Sequence, residues 1–118
     1  MYQYRATCLA VVDGDTVDLE IDLGLEIRHR IRVRLYGIDT PELHSTVASE
    51  RAAAQKARVF VIDAIFGRPL IVETIKDRTE KYGRYLANVF VEGVEKSVNA
   101  QLLEAGLAVS YFPKEVRS

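Results

Sequence analysis

A chain of 118 residues, 48% of them apolar and 28% charged, is the size of one packed domain spanning 1–118. Its net charge of −1 excludes bulk positive charge as a means of holding nucleic acid, so any such binding must come from a local patch. The single cysteine, Cys8, excludes an internal disulfide, and no apolar run is long enough to cross a membrane. Apolar neighbours place Cys8 in a strand as a small core residue. The N-terminus "MYQYRATCLAVV" lacks the charged and apolar regions of a signal peptide. A cytoplasmic location is expected for the sequence as it stands; a protein whose leader has been removed would read the same and be secreted.

Residues 3–12 are expected to form a first strand, followed by the turn signal Asp13-Gly14. In "DTVDLEIDL" Val17, Leu19, Ile21 and Leu23 fall on one face, and Thr16, Asp18, Glu20 and Asp22 on the other. That is the period of a half-buried strand. After a turn at Gly24, "IRHRIRVRLYG" sets Ile27, Ile31, Val33 and Leu35 against Arg28, Arg30, Arg32 and Arg34. A hairpin about Gly24 faces the acids of one strand with the arginines of the next, at about 0.2–1 kcal/mol per exposed pair. Arg28, Arg30 and Arg32 therefore read as a solvated sheet face. Arg34 differs, because it lies nearest the turn that holds Asp39 and Glu42.

Between about Ser49 and Phe66 the period becomes helical, with Ala53, Ala57, Phe60, Val61, Ala64 and Ile65 on one side; Gly67 and Pro69 stop the helix. "PLIVETIKD" (69–77) returns to strand, "RTEKYGR" (78–84) is a polar connection, and "YLANVFV" (85–91) is the fifth strand. Ser97 is a good N-cap for a short helix carrying Val98, Leu102 and Leu103 and ending at Gly106. A short apolar piece, "LAVSYF", follows. Three strands, a helix, two strands and a helix is an α+β order, mostly β, and predicts a five-stranded barrel of the OB type with two helices.

Three stretches carry candidate chemistry. In "RVRLYGIDTPE" the chain places Asp39 and Glu42 after a strand, and Pro41 stiffens the segment by fixing its own φ and extending Thr40. Taken alone, an acidic turn is the plainer reading. In "DGDT", however, Asp15 has the parity of Val17 and Leu19 and should point toward the core, where an unpartnered carboxylate is costly. A calcium-type cation suits two or more hard oxygen ligands. Asp15 and Asp39 could supply them, with a backbone carbonyl near Thr40 and waters. An EF-hand loop starting at Asp13 is excluded, because Val17, Asp18 and Gly24 stand where an acid or amide, Gly and Glu would be needed. In "KDRTEKYGRYLA" Lys76, Arg78, Lys81 and Arg84 surround Tyr82. That is either a solvated loop, since Asp77 and Glu80 dilute the charge, or a phosphate grip with a stacking face. A hard-metal site, a spare carboxylate and two arginines are what phosphodiester hydrolysis requires: charge neutralised around an anionic ester, and a water aligned to attack it.

"VVDGDTVDLEI", "IRVRLYGIDTPE" and "DRTEKYGRYLA" resemble, in order, the signature stretches of the staphylococcal nuclease (thermonuclease) family, and "NAQLLEAGLAVSYF" resembles its later helix and tyrosine-bearing tail. The resemblance runs from about residue 5 to 112. It implies an OB-type barrel, bound Ca2+, and cleavage of DNA and RNA substrates to 3′-phosphorylated products. Residue by residue, it implies that Asp15, Asp39 and the carbonyl of Thr40 bind the metal. It implies that Arg34 and Arg84 bind phosphate and that Glu42 serves the attacking water. It also implies that Lys81 and Tyr82 fall near the substrate phosphate and that Tyr111 stacks on a base.

The sequence departs from the family pattern in two places. "LHSTVASE" after Glu42 carries His44 and no lysine, where the type enzyme has a lysine-rich loop. The sequence also stops at Ser118, where the type enzyme continues into a further helix, so that helix is dispensed with, supplied by an oligomer partner, or cut away. The competing readings are a non-catalytic binding module on the same barrel and a plain OB-fold binder of single strands. The complete set Asp15, Arg34, Asp39, Glu42 and Arg84 argues against the first. The second would want exposed aromatics on strands that instead carry charges.

Overall fold

The structure is a computed structural model and describes residues 2–79 and 83–112. β1 (Tyr2–Asp13), β2 (Thr16–Asp22) and β3 (Arg28–Leu35) are followed by a two-residue strand β4 (Ile38–Asp39) and helix α1 (Ala48–Ile65). β5 (Leu70–Thr79), β6 (Tyr85–Val91), helix α2 (Val98–Glu104) and a second two-residue strand, β7 (Val109–Ser110), complete it. Five strands close a barrel in the order β1-β2-β3-β6-β5, and β5 returns to β1. The β3–β6 contact is parallel and short, Val33–Leu35 against Tyr85–Ala87; the other barrel contacts are antiparallel. This is the expected α+β, OB-like barrel with two helices.

Alternation fills the barrel. Val17, Leu19, Ile21, Val33, Leu35, Leu70, Val72, Ala87 and Val89 point inward and are almost wholly buried, joined by Ala6, Cys8 and Val11 of β1. Each large aliphatic buried in this way contributes about 1.5–3 kcal/mol. Cys8 is a core residue, and burial pushes its thiol up. One end of the barrel is covered by α1, through Ala57, Val61 and Ile65, and by α2, through Val98 and Leu102. Ser97 caps α2 by accepting from the Ala100 amide at 3.1 Å. Neither helix is long and apolar enough to cross a membrane.

Asn99 is buried and bonded on all sides. Its Oδ1 accepts from Val89 N, and its Nδ2 donates to the carbonyls of Tyr36 and Ala87. It ties α2 to the place where β3 and β6 meet.

Four features differ from the sequence reading. Leu23 and Ile27, expected on the inward face, are 49% and 53% exposed, because β2 stops at Asp22 and the hairpin overshoots the barrel end. There Gly24, Leu25 and Glu26 all take left-handed backbone, and Leu25 is 93% exposed. β5 runs two residues past the expected end at 77, to Thr79. "LAVSYF", expected only as a short apolar piece, contains β7, which pairs with β4: Ile38 opposes Ser110 and Asp39 opposes Val109. On α1, Ala54 rather than Ala53 is among the buried positions, with Ala57, Val61 and Ile65.

Gly14 sits in the β1–β2 turn, packed against α1. A Cβ there would lie 2.8 Å from Ala57 Cβ and 2.9 Å from Thr40 Oγ1, so the turn, the helix and the residue after Asp39 meet at one glycine. Both contacts are to short, fixed side chains that cannot swing away. Gly14→Ala is expected to destabilise the fold by about 1–3 kcal/mol through overpacking. Denaturant unfolding, read at the midpoint with the slope unchanged, measures it.

Candidate active site

The β1–β2 turn, the end of β3 and strand β4 converge on one rim of the barrel. The Leu35 amide donates to the carbonyl of Asp15 at 2.8 Å and fixes the turn onto β3. Asp15 is 8% exposed, as its parity requires. Its Oδ2 accepts from the Thr40 amide at 3.2 Å, and its Oδ1 from the Thr16 hydroxyl at 3.2 Å.

Arg34 reaches into the same place with its side chain 13% exposed. Its Nη1 donates to the carbonyls of Ile38 (2.9 Å) and Leu35 (3.3 Å) and lies 3.5 Å from Asp15 Oδ2. Its Nη2 donates to Asp39 Oδ1 at 3.3 Å. One planar guanidinium thus spans the carboxylates of Asp15 and Asp39. The β4–β7 pair carries Tyr111 over it, with the ring centroid 5.8 Å from Arg34 Cζ, within cation–π range. Behind Tyr111, Phe112 packs edge-on against Tyr36 at 5.5 Å.

Arg84 joins through a hydroxyl. Its Nη1 donates to Thr16 Oγ1 at 3.2 Å, the same oxygen that donates to Asp15. Glu42 is exposed and lines a cleft of about 330 Å³ with Asp39, Thr40, Pro41, Glu50 and the segment from Gly106 to Val109. The loop behind it is latched to the first turn of α1. Ser45 Oγ donates to Glu50 Oε1 at 2.6 Å, and Arg51 Nη1 donates to the Ser45 carbonyl at 2.8 Å. Lys81 and Tyr82 lie outside the described residues. His44 is exposed, as expected for the loop.

Charge is unevenly shared. Burial pushes the Asp15 carboxyl up, but hydrogen bonding with Asp13, the Arg34 guanidinium, the Thr40 amide and the Thr16 hydroxyl outweigh it and hold Asp15 below the usual aspartate range. Asp39 is raised, first by burial and then by the Asp15 charge, with Glu42 adding to it and Arg34 opposing. Asp13 is pushed up to about 6 by burial and by the adjacent Asp15 carboxylate.

Oxygen donors crowded by like charge suit a hard divalent cation. Among the described residues no three His, Cys, Asp or Glu side chains form a ready cage. A cation here would be held by Asp15 and Asp39, by the Thr40 carbonyl and by water. The buried Thr40 hydroxyl, which makes no hydrogen bond among the described residues, adds a polar atom beside them. Asp39, whose side chain is 46% exposed, opens the site to solvent.

Three contributors were not singled out in the sequence. Thr16 reads there as one more polar residue on an outward strand face, and Glu50 as an ordinary charge in a helix's first turn. Asp13 reads there as part of the Asp13-Gly14 turn and as the start of an excluded EF-hand loop. The one available signal was adjacency, since Asp13 and Thr16 flank the anomalous Asp15.

Fold and rim together define a class: a small OB-type barrel with carboxylates and arginines gathered at one rim. Residues 32–118 match the profile of the family described as staphylococcal nuclease homologue, and the chain belongs to that family. It is 31% identical over 116 residues to Protein ParB of Escherichia coli, covering 92% of this chain and 58% of that one. It is 29% identical over 115 residues to a micrococcal nuclease of Shigella flexneri (92% and 59%). With the thermonuclease of Staphylococcus intermedius it shares 31% over 102 residues (86% and 56%). The chain thus spans less than two thirds of the length of these relatives. The family description and the names of the Shigella flexneri and Staphylococcus intermedius relatives support a nuclease-like function.

The raised carboxyl of Asp13 has a consequence for stability. With a folded pKa of about 6 against an ordinary 3.8, the folded state binds more protons than the unfolded one between those values. That contribution is complete below about pH 4 and is lost as pH rises through 6. Asp13→Asn keeps the acceptor that Asp13 Oδ1 offers the Asp15 amide at 3.1 Å and removes the charge. Measured in chelator, it is expected to stabilise the fold at pH 8 by roughly 1 kcal/mol, allowing for partial solvent screening, and to have little effect at pH 4. Thermal unfolding at the two pH values reads the difference.

Proposed function

We propose that this chain is a calcium-dependent nuclease that hydrolyses phosphodiester bonds of DNA and RNA by attack of water, leaving 3′-phosphorylated products. The observation that carries the reading is Arg34, held by two backbone carbonyls between Asp15 and Asp39. A guanidinium fixed so firmly is preorganised to stabilise charge as it develops on a phosphoryl group. The names of the relatives, nuclease and thermonuclease among them, support the same reading.

In this reading Asp15, Asp39 and the Thr40 carbonyl hold the calcium ion. When bound, the ion supplies positive charge against the phosphate oxygens and helps generate the nucleophile. Arg34 and Arg84 bind the phosphate, each fork able to contact two oxygens. Glu42, exposed at the cleft edge, orients the attacking water or takes its proton. Tyr111 offers the substrate its ring from the far side of Arg34. By the family resemblance, Lys81 and Tyr82 would add contacts near the substrate phosphate.

The purified protein is expected to degrade single- and double-stranded DNA with added calcium and to stop with excess chelator. No cleavage with any divalent ion, alongside retained nucleic-acid binding, would instead indicate a non-catalytic module. Glu42→Gln removes an exposed charge and should leave the fold intact while lowering kcat by about 100-fold; undiminished turnover would remove Glu42 from the mechanism. Arg84→Ala is expected to cost about 3 kcal/mol of barrier, seen in kcat. A change confined to KM would make Arg84 a ground-state contact.

A further inference from the structure

Thr16 opens β2 and is 3% exposed. Its hydroxyl donates to Asp15 Oδ1 and accepts from Arg84 Nη1, both at 3.2 Å. A hydroxyl carries one proton and two lone pairs, so the two bonds are made at once. Across the strands its register partner is Arg34. The other rungs of that outward face set Asp18, Glu20 and Asp22 against Arg32, Arg30 and Arg28. At the site end the acid of the pattern is replaced by a hydroxyl. A carboxylate in that slot would neutralise the arginines it faces. An aliphatic side chain would deprive Asp15 Oδ1 of its hydroxyl donor and Arg84 Nη1 of this acceptor. The geometry accepts only a small group that donates to one side and accepts from the other.

We propose that Thr16 is a positioning residue that fixes Asp15 and Arg84 relative to each other, so that the carboxylate facing the cation and the guanidinium facing the phosphate are set by one oxygen atom. The catalytic consequence rests on the nuclease reading above, whereas the linkage itself does not. Thr16→Val keeps the shape of the side chain and removes both bonds. Thr16→Ser keeps both bonds.

T16V is expected to lower kcat at least about tenfold with KM within about threefold of wild type, and T16S to stay within about threefold in both. A loss of mere packing would not be rescued by serine, which lacks the methyl group. Unfolding of T16V, R84A and the double variant in chelator tests the linkage without substrate or calcium. Together the two substitutions should reduce the folding equilibrium constant less than the product of their single effects, by about threefold or more. Should T16V fold poorly, Thr16→Ala removes the same hydroxyl in the same cycle. Wild-type kcat in T16V, or a strictly additive cycle, overturns the proposal. A wild-type protein that cuts no nucleic acid under any divalent ion overturns the nuclease reading instead, and the unfolding cycle then decides the linkage alone.

Discussion

A guanidinium held between two carboxylates at the rim of a barrel is the interaction on which the rest of the site depends. Arg34 belongs to β3, Asp15 to the turn before β2, and Asp39 to the two-residue strand after β3. Nothing local in the chain would keep these three together. Desolvating an ion pair this buried cancels much of its Coulomb gain, so the pair is a poor source of net stability. Stability comes from the aliphatic interior. What the pair supplies is geometry, since Arg34 is also bonded to the Leu35 and Ile38 carbonyls and cannot follow one carboxylate without leaving its other partners.

The fold prepares that geometry from behind. Gly14 lets the Asp15 turn close onto α1 and Thr40 at distances no side chain at that position would permit. Asn99 saturates backbone groups where β3 and β6 meet, so the strand that delivers Arg34 is anchored to α2 as well as to its neighbours. Pairing of β4 with β7 fixes Asp39 from one side and brings Tyr111 across Arg34 from the other. In each case an element that contributes no charge decides where a charged group stands.

Much of this was legible in the sequence, and the reason is periodicity. Strands of seven or more residues with one face buried write their register into alternate positions, so β2, β3 and β6 were recoverable. The misplaced parity of Asp15 pointed to a partner before any partner was known. The β4–β7 pair was not legible, because two residues are too few to show a period and their pairing joins positions some seventy apart in sequence. Leu23 and Ile27 misled for a related reason. The pattern continues past the end of the barrel wall, where there is no interior left to face. Thr16 was hidden by its type: a threonine at the head of a strand is so ordinary a β-former that its hydroxyl draws no notice until both of its partners are located.

The arginines of β3 also show why a count of basic residues says little about anion binding. Asp18 grips Arg32 through two hydrogen bonds, and Glu20 approaches Arg28, so that stretch of the strand largely neutralises itself. At the rim the balance tips the other way. Among the described residues of the rim, Asp15, Asp39 and Glu42 outnumber Arg34 and Arg84, and the Asp15 charge adds to the burial that raises the carboxyls of Asp39 and Asp13. In the proposed reading a phosphate entering alone meets net repulsion, and a divalent cation reverses it. Cation and phosphate then each raise the other's affinity by the same factor, because the coupling between two bound ligands is reciprocal. In that reading, a site left acidic by its own carboxylates would engage a polyanion only in company with a cation.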